Sequence, residues 1–276
     1  MNILVVGGYS FIGTNIVNHF IKQDHKVCVI DNLNRQNKKY VVGKHVSFNY
    51  SVNSDKCEKP FKRNKFDVVI HLTNIKGFSN ISCLCKKYCV DKMIVVNDID
   101  ERFFVKSEHI FCITYDNIFG PRQNKENIVS DLIKEVLDFE NINVKGNGDE
   151  KIKLLYVQDV INVIYNICVG QAIKNKVSLL TGQGCSVNQI IEILRDQHTI
   201  PTVINNEILR DQHTIPIEIN NKLDYDNNIE LDGNDENFKY EYYPLENGIK
   251  ETYEWYKSIY IKRFNECLSK KQDYTA

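Results

Sequence analysis

Residues 3–13 read ILVVGGYSFIG, an apolar run followed by glycines at 7, 8 and 13, with serine at position 10. A turn of this kind exposes backbone N–H groups at the start of a helix, and a helix N-terminus favours an anionic phosphate. Asp31 stands 18 residues beyond Gly13, at the end of a second apolar run, VCVI. A carboxylate in that place bonds the adenosine ribose hydroxyls of a bound dinucleotide, and the spacing suits such a site. Asp31 favours NAD over NADP because a carboxylate repels a 2′-phosphate, although Arg35 nearby counts the other way. Ser10 brings a Cβ toward the phosphate path. It either weakens binding or supplies a substitute hydrogen bond through its hydroxyl. The competing reading is a tight turn that needs glycine for packing alone.

Other residues with chemical potential are less well arranged. Cys83, Cys85 and Cys89 cluster, but no Cys or His pair lies at a usual zinc spacing, so they read as buried or half-buried thiols on a helix, and no metal is expected. His198 and His213 are copies of one residue. EILRDQHTIPTVINN (192–206) is followed at once by EILRDQHTIPIEINN (207–221), identical at 13 of 15 positions. Two units are too few for a solenoid. The pair reads as a tandem duplication in a surface loop, where added length costs little closure entropy.

The elements that must position these residues alternate in the first half. NILVV (2–6), VCVI (27–30), VSF (46–48), DVVIHL (67–72), MIVV (93–96) and IFCIT (110–114) read as strands. Helices are expected over 12–23, near 80–91 and as a short remnant near 100–107. This alternation predicts an α/β fold, a Rossmann-like doubly wound parallel sheet, with a smaller C-terminal substrate-binding region. The dinucleotide domain is expected at 1–120 and the substrate region at 121–276, with 154–182 returning to the sheet. In the second half, helices are expected at 127–139 and 244–257, and a strand then a helix over 154–168. VSLLTG (177–182) reads as a strand, and Ser186 with Gln189 forms a capping-box pattern before a further helix.

The bulk composition excludes several classes. The chain has 276 residues, 26% of them charged, and a net charge of -1. That balance lacks the basic excess of a nucleic-acid binder, so no nucleic-acid partner is expected. No apolar run has the length of a membrane span, and the N-terminus enters a strand directly, without the pattern of a signal peptide. Nine cysteines without a disulfide pattern point to a reducing cytoplasm.

GGYSFIG, the DN at 31–32, DVVIHL, NIFGPRQ (117–123), GNGDEKIKLLYVQDV (146–160) and PLENGIKETYEWYK (244–257) occur in one order. Together they resemble the NAD-dependent epimerase/dehydratase family, the extended short-chain dehydrogenases that act on nucleotide sugars. The resemblance assigns cofactor contacts to Gly7, Ser10, Phe11, Ile12, Gly13, Asp31, Asn32, Leu72 and Thr73. It matches Asn117 to an asparagine that contacts the substrate phosphate; a turn residue before Gly120-Pro121 is the equal alternative. Ile152 stands where the family often has a phosphate-binding arginine, leaving Lys151 and Lys153 as point charges beside it. A nucleotide sugar is the implied small-molecule partner. A homodimer, or pairing with an active relative, is the implied assembly.

The family's chemistry needs a Tyr-x-x-x-Lys pair on one helix, where the cation lowers the phenol pKa toward that of a working base. Three such pairs occur: Tyr40/Lys44, Tyr88/Lys92 and Tyr253/Lys257. The first lies too early and the last in the C-terminal helix. Lys92 adjoins MIVV, so Tyr88 cannot share its helical face. Asn97 to Glu108, about a dozen residues, is all that separates MIVV from the next strand. The catalytic segment therefore reads as deleted, with Asn97 and Asp98 in place of the Ser/Thr loop and Phe103 to Lys106 as the tail of a lost helix. No catalytic residue is assigned. Asp98 or Tyr115 could replace the base in a repurposed enzyme; a binding protein without catalysis and a decaying gene product are the alternatives.

Overall fold

The computed structural model describes residues 1–32, 36–73, 75–96, 109–115, 117–123, 127–138, 142–145, 147–170, 177–180, 182–197, 202–204, 207–209, 217–220 and 241–273. In chain order the elements are β1 (Asn2–Val6), α1 (Phe11–Lys22), β2 (Lys26–Asp31), β3 (Val46–Asn49), α2 (Glu58–Arg63), β4 (Val68–His71), α3 (Ile75–Lys87), β5 (Lys92–Val96), β6 (Ile110–Tyr115) and β7 (Ile118–Phe119). There follow α4 (Ile128–Asp138), β8 (Ile142–Lys145), β9 (Lys151–Tyr156), α5 (Val157–Cys168), β10 (Val177–Leu180), β11 (Gln183–Ser186), α6 (Val187–Gln197), β12 (Thr202–Ile204), β13 (Glu207–Leu209), β14 (Ile217–Asn220) and α7 (Leu245–Asp273).

The chain divides into two compact units. The first carries a seven-stranded sheet in the order β10-β6-β5-β4-β1-β2-β3. Every neighbouring pair in it is parallel. It is the α/β, Rossmann-like doubly wound sheet that the alternating sequence predicts. Strand order reverses between β1 and β4, and such a switch point opens a crevice at the carboxyl ends of those strands. The central strands are buried on both faces, as all-parallel sheets require: Ile3, Leu4, Val5, Val69, Ile70 and Ile94 are each fully buried. On one face Leu4, Ile30, Val69 and Met93 pack with Phe61, Ile81 and Leu84 from α2 and α3.

Several boundaries differ from expectation. Helix α3 covers 75–87 rather than 80–91. It closes on Cys89, whose φ of 51° is left-handed, with Val90 N–H donating to Cys85 O and Cys89 N–H to Lys86 O. These paired bonds are the Schellman closure of a helix. Of the clustered thiols, Cys85 is buried, whereas Cys83 and Cys89 are exposed.

In the second unit, β9 pairs with β11 in a three-stranded sheet with β7, so the return to the larger sheet begins at Val157 rather than at 154. Helix α6 begins as its cap pattern predicts: Gln189 N–H donates to Ser186 Oγ at 3.2 Å, and Ser186 N–H to Gln189 Oε1 at 2.9 Å. Helix α7 runs well beyond the expected 257. It is held by phenols: Tyr156 donates to Glu251 at 2.6 Å, Tyr243 also donates to Glu251, and Tyr256 donates to Gln123 O at 3.0 Å.

The duplication is not a plain loop. EILRDQ of the first copy continues α6 to Gln197, whereas EIL of the second forms β13, paired antiparallel with β12. Further on, β14 pairs in parallel with β8. His198 and His213 lie outside the described residues, as do Arg35, Asn97, Asp98 and Phe103 to Lys106.

Helices α1 and α5 meet through an aromatic cluster. His19 lies 5.4 Å from the Tyr165 ring and His25 6.2 Å from it, with Phe20 between them. Burial holds the His19 pKa below its usual value, helped by the charge of Lys22 and by His25. Burial also lowers His25, helped by the Met1 amino group and opposed by Asp24. The fold therefore prefers both imidazoles neutral, while the unfolded chain takes up protons at about pH 6.5. Their contribution to stability is complete above that pH and is lost as pH falls toward the lowered folded values. We expect the melting temperature to drop between pH 7.5 and 5.5, and His19→Gln to reduce that drop; an identical pH profile in the variant would refute the coupling.

Candidate functional site

The candidate site is the turn between β1 and α1 together with the strand ends around it. Gly7 continues the β1–β2 ladder by donating to Ile30 O at 2.8 Å, then turns the chain with a φ of 82°. Gly13 allows the closest approach: a Cβ there would lie 2.4 Å from Gly7 O and 2.8 Å from Gly8 Cα. Backbone cannot yield to such a contact as a flexible side chain can. Ser10, in extended backbone, is the N-cap of α1, its Oγ accepting from Gly13 N–H at 3.0 Å. The N–H groups of Phe11 and Ile12, first in the helix, have no hydrogen-bond partner among the described residues.

Asp31 ends β2 and is 4% exposed, with Oδ2 accepting from Tyr9 N–H at 3.0 Å. A carboxylate at a strand end is thereby locked to the glycine turn. Tyr9 is itself buried beneath the following segment, its phenol hydrogen-bonded to His45 Nε2 at 3.0 Å. Burial pushes its pKa up.

Strand β4 delivers the other wall. Leu72 N–H donates to Val6 O at 2.9 Å, extending the β1–β4 ladder to the edge of the turn. Thr73 Oγ1 is hydrogen-bonded to the buried His71 Nε2 at 3.0 Å, which aims its methyl toward Gly7. A small open cleft is lined by Gly7, Asp31, Asn32, Tyr50, Val52 and Thr73 among others. The structure thus brings together the cofactor residues expected from sequence: Gly7, Asp31, Asn32 and Thr73 line the cleft, Leu72 adjoins it, and Ser10, Phe11, Ile12 and Gly13 form the neighbouring helix start.

Sequence reasoning missed the support from α3. Gly77 lets Val52 approach so closely that a Cβ would lie 2.5 Å from its Cγ1 and 2.9 Å from Thr73 Oγ1. Asn80 donates to Val52 O at 2.7 Å, and the Cys57 thiol donates to Ser51 O at 3.2 Å. The available signal was Gly77 inside a helical stretch, which marks a close packing contact.

The substrate candidates are not brought together within one unit. Asn117 is in the first unit, exposed, with a left-handed φ of 43°. Asparagine tolerates that conformation, so the turn role is met. Lys151 and Lys153 are exposed in the second unit, two residues apart on β9, and therefore on one face of the strand. Ile152, on the opposite face, pairs in register with Cys185.

Tyr88 lies past the end of α3 and donates to Glu58 at 2.9 Å, while Lys92 sits in β5 and donates to Ile167 O and Cys168 O at the end of α5. Burial and the bond to Glu58 raise the Tyr88 pKa, the opposite of what a base requires. Tyr253 is fully buried, and burial pushes its pKa up to about 12. Lys257 pairs with Glu254 at 3.6 Å. Tyr40 ends a 3-10 turn and Lys44 is exposed beyond Gly43. Tyr115 ends β6, half-buried. Among the described residues no group of acidic, His and Cys side chains can hold a metal, and no helix is long and apolar enough to cross a membrane.

A parallel sheet with a glycine turn and a carboxylate at its switch point defines the class: a Rossmann-type fold. More narrowly, residues 3–95 match the profile of the NAD dependent epimerase/dehydratase family. It is 23% identical over 251 residues to an inferred UDP-glucose 4-epimerase of Methanocaldococcus jannaschii, covering 71% of this chain and 82% of that protein. It is 24% identical to a dTDP-D-glucose 4,6-dehydratase of Dictyostelium discoideum over 58% of this chain, spanning about half (54%) of that relative. The fold is also that of the UDP-glucose 4-epimerase of Thermotoga maritima solved with UDP-glucose, with a TM-score of 0.70, 21% identity, and 94% and 99% of the two chains covered. The dTDP-glucose 4,6-dehydratase of Bacillus anthracis, solved with NAD, gives a TM-score of 0.71 at 18% identity, over 94% and 97% of the chains.

The Gly13 contact gives a direct test. Gly13→Ala is expected to destabilise the protein by about 2 kcal/mol or more through overpacking against backbone, measured by urea denaturation. A change below about 0.5 kcal/mol, the size of an ordinary surface substitution, would show the turn to be looser than described.

Proposed function

We propose that this chain is an NAD-binding, nucleotide-sugar epimerase/dehydratase-like protein that keeps its cofactor site and is catalytically impaired. The observation that carries the reading is the convergence, at one switch point, of the unpartnered Phe11 and Ile12 amides, the locked Asp31 carboxylate and the Thr73 wall. These groups fit an adenosine diphosphate moiety. The amides at the positive end of α1 bond the phosphates. Asp31 accepts from the ribose hydroxyls, with Asn32 at the lip. Leu72 and Thr73 line the route from the pyrophosphate toward the reacting end. When bound, NAD supplies a hydride acceptor that can oxidise a sugar and return the hydride. Asn117 in the first unit, and separately Lys151 and Lys153 in the second, are each proposed as candidates for a substrate phosphate.

The impaired chemistry follows from the connector between β5 and β6. These strands are parallel neighbours, with Met93 opposite Ile110 and Val96 opposite Ile113. Parallel neighbours need a crossover of a dozen residues or more, and residues 97–109 provide little beyond that minimum. They contain no tyrosine. The tyrosines of the described Tyr-x-x-x-Lys pairs offer no phenol beside a free cation in this region. A binding protein without turnover is therefore favoured over a repurposed enzyme using Asp98 or Tyr115, although both keep the same cofactor site.

Calorimetry tests the first half of the proposal. NAD is expected to bind, and Asp31→Asn to weaken it about tenfold, as loss of a charged hydrogen bond does, while narrowing the preference over NADP. Absence of NAD binding by the wild type would sink the proposal. Incubation with NAD and UDP-glucose or dTDP-glucose tests the second half. No sugar conversion is expected by product analysis, and conversion that Tyr115→Phe abolishes would replace the impaired reading with the repurposed one.

A further inference from the structure

We infer that the Ser10 hydroxyl is a built-in brake on phosphate binding, covering one of the donors that the turn would otherwise present. The inference rests on the cofactor reading above and concerns how tightly that site holds a phosphate. The donors of the turn divide clearly. Gly7 N–H is engaged by Ile30 O, Tyr9 N–H by Asp31, Ser10 N–H by Gly7 O, and Thr14 N–H by Ser10 O. At the start of α1 the three remaining amides belong to Phe11, Ile12 and Gly13, while Gly8 N–H, earlier in the turn, also has no hydrogen-bond partner among the described residues. Phe11 and Ile12 have no hydrogen-bond partner among the described residues, whereas Gly13 N–H is taken by Ser10 Oγ at 3.0 Å.

Position 10 does not require serine. Its φ of -70° and ψ of 173° are extended backbone open to any residue. The hydroxyl, however, sits directly against Gly13: a Cβ built on Gly13 would lie 2.8 Å from Ser10 Oγ. The side chain thus occupies the position from which a phosphate oxygen would take the third amide. An incoming phosphate must either forgo that bond or displace the hydroxyl and break the helix cap. A hydrogen bond to a charged acceptor contributes more than one between neutral groups, so the substitution costs the site about tenfold in affinity. The compensation is local. In the absence of ligand, the start of α1 is already capped beside the compressed Gly7–Gly13 contact.

The test compares wild type, Ser10→Gly and Ser10→Ala by calorimetry with NAD, ADP and adenosine. Glycine is nearly as good an N-cap as serine, so the first variant keeps the fold; melting curves check both. Amide hydrogen exchange at Gly13 reports the cap without any ligand and should quicken in both variants. NAD and ADP are expected to bind both variants about tenfold more tightly, with adenosine affinity unchanged. Equal or weaker NAD binding in the variants overturns the inference, because the hydroxyl would then be neutral or a phosphate ligand. Tightening by glycine alone also overturns it, since the obstacle would be the Cβ. An equal gain for adenosine overturns it as well, because the effect would not involve phosphate. Wild-type protein that binds neither NAD nor adenosine overturns the cofactor reading itself, an outcome distinct from the others.

Discussion

The site depends on one close approach. Helix α1 begins so near the end of β1 that Gly13 has no room for a Cβ above Gly7 O. That compression puts the start of the helix at the carboxyl edge of the sheet, where the strand order reverses and β4 ends beside β1. The other parts of the site are held relative to this turn. Asp31 is tied to it through Tyr9 N–H, and Leu72 is tied to Val6. Thr73 is tied to buried His71, and α3 comes close enough through Gly77 to support Val52 and Thr73 together. Glycine is needed at 13 for space and at 7 for its left-handed φ. Position 10 is free of both demands, which is why a serine there can take up another task.

The tyrosine-rich character of the chain has a structural explanation. Tyr156 and Tyr243 share the Glu251 carboxylate, Tyr256 reaches Gln123 O, and Tyr260 reaches Asp138. Each phenol buries a large ring and satisfies its polar tip, a combination that fastens α7 within the second unit. These environments raise phenol pKa values: burial, helped by Glu251, pushes Tyr156 well above its usual range, and burial pushes Tyr256 up to about 12. A general base near neutral pH needs the reverse, a phenol beside a cation. Abundance of tyrosine is thus no sign of the family's chemistry in this chain.

The duplicated segment shows where local sequence stops being informative. EILRDQ in the first copy continues a helix already started by the Ser186–Gln189 cap, and Ile190, Ile191 and Leu194 are buried along it. EIL in the second copy has no such start and pairs as a strand with β12. Identical residues adopt different structures because a helix is costly to nucleate and cheap to extend. The capping pattern at Ser186 and Gln189 predicted the helix that the first copy extends, whereas the reading of the duplication as a surface loop did not foresee the strand formed by the second. The boundary of α3 was misjudged for a related reason. Its end is set by a left-handed Cys89, a residue type that does not announce a Schellman closure as glycine would.

By itself the sequence determined the parallel sheet and the glycine turn proposed to hold the cofactor. Both depend on short-range information: continuous apolar strands, amphipathic helices, glycines at fixed offsets and one acidic residue at a strand end. It also determined that only 13 residues, 97–109, connect β5 to β6, since length is visible without structure. What only the tertiary structure decided is how the polar groups are committed. Whether Tyr88 faces Lys92, whether Gly13 N–H is open, and what holds Thr73 all depend on hydrogen bonds. Some join distant segments; others, like that of Ser10 to Gly13, depend on a rotamer that sequence does not specify. The serine at position 10 could be read from sequence as an obstacle or as a ligand. Its geometry makes it a helix cap, with its hydroxyl committed to Gly13 N–H.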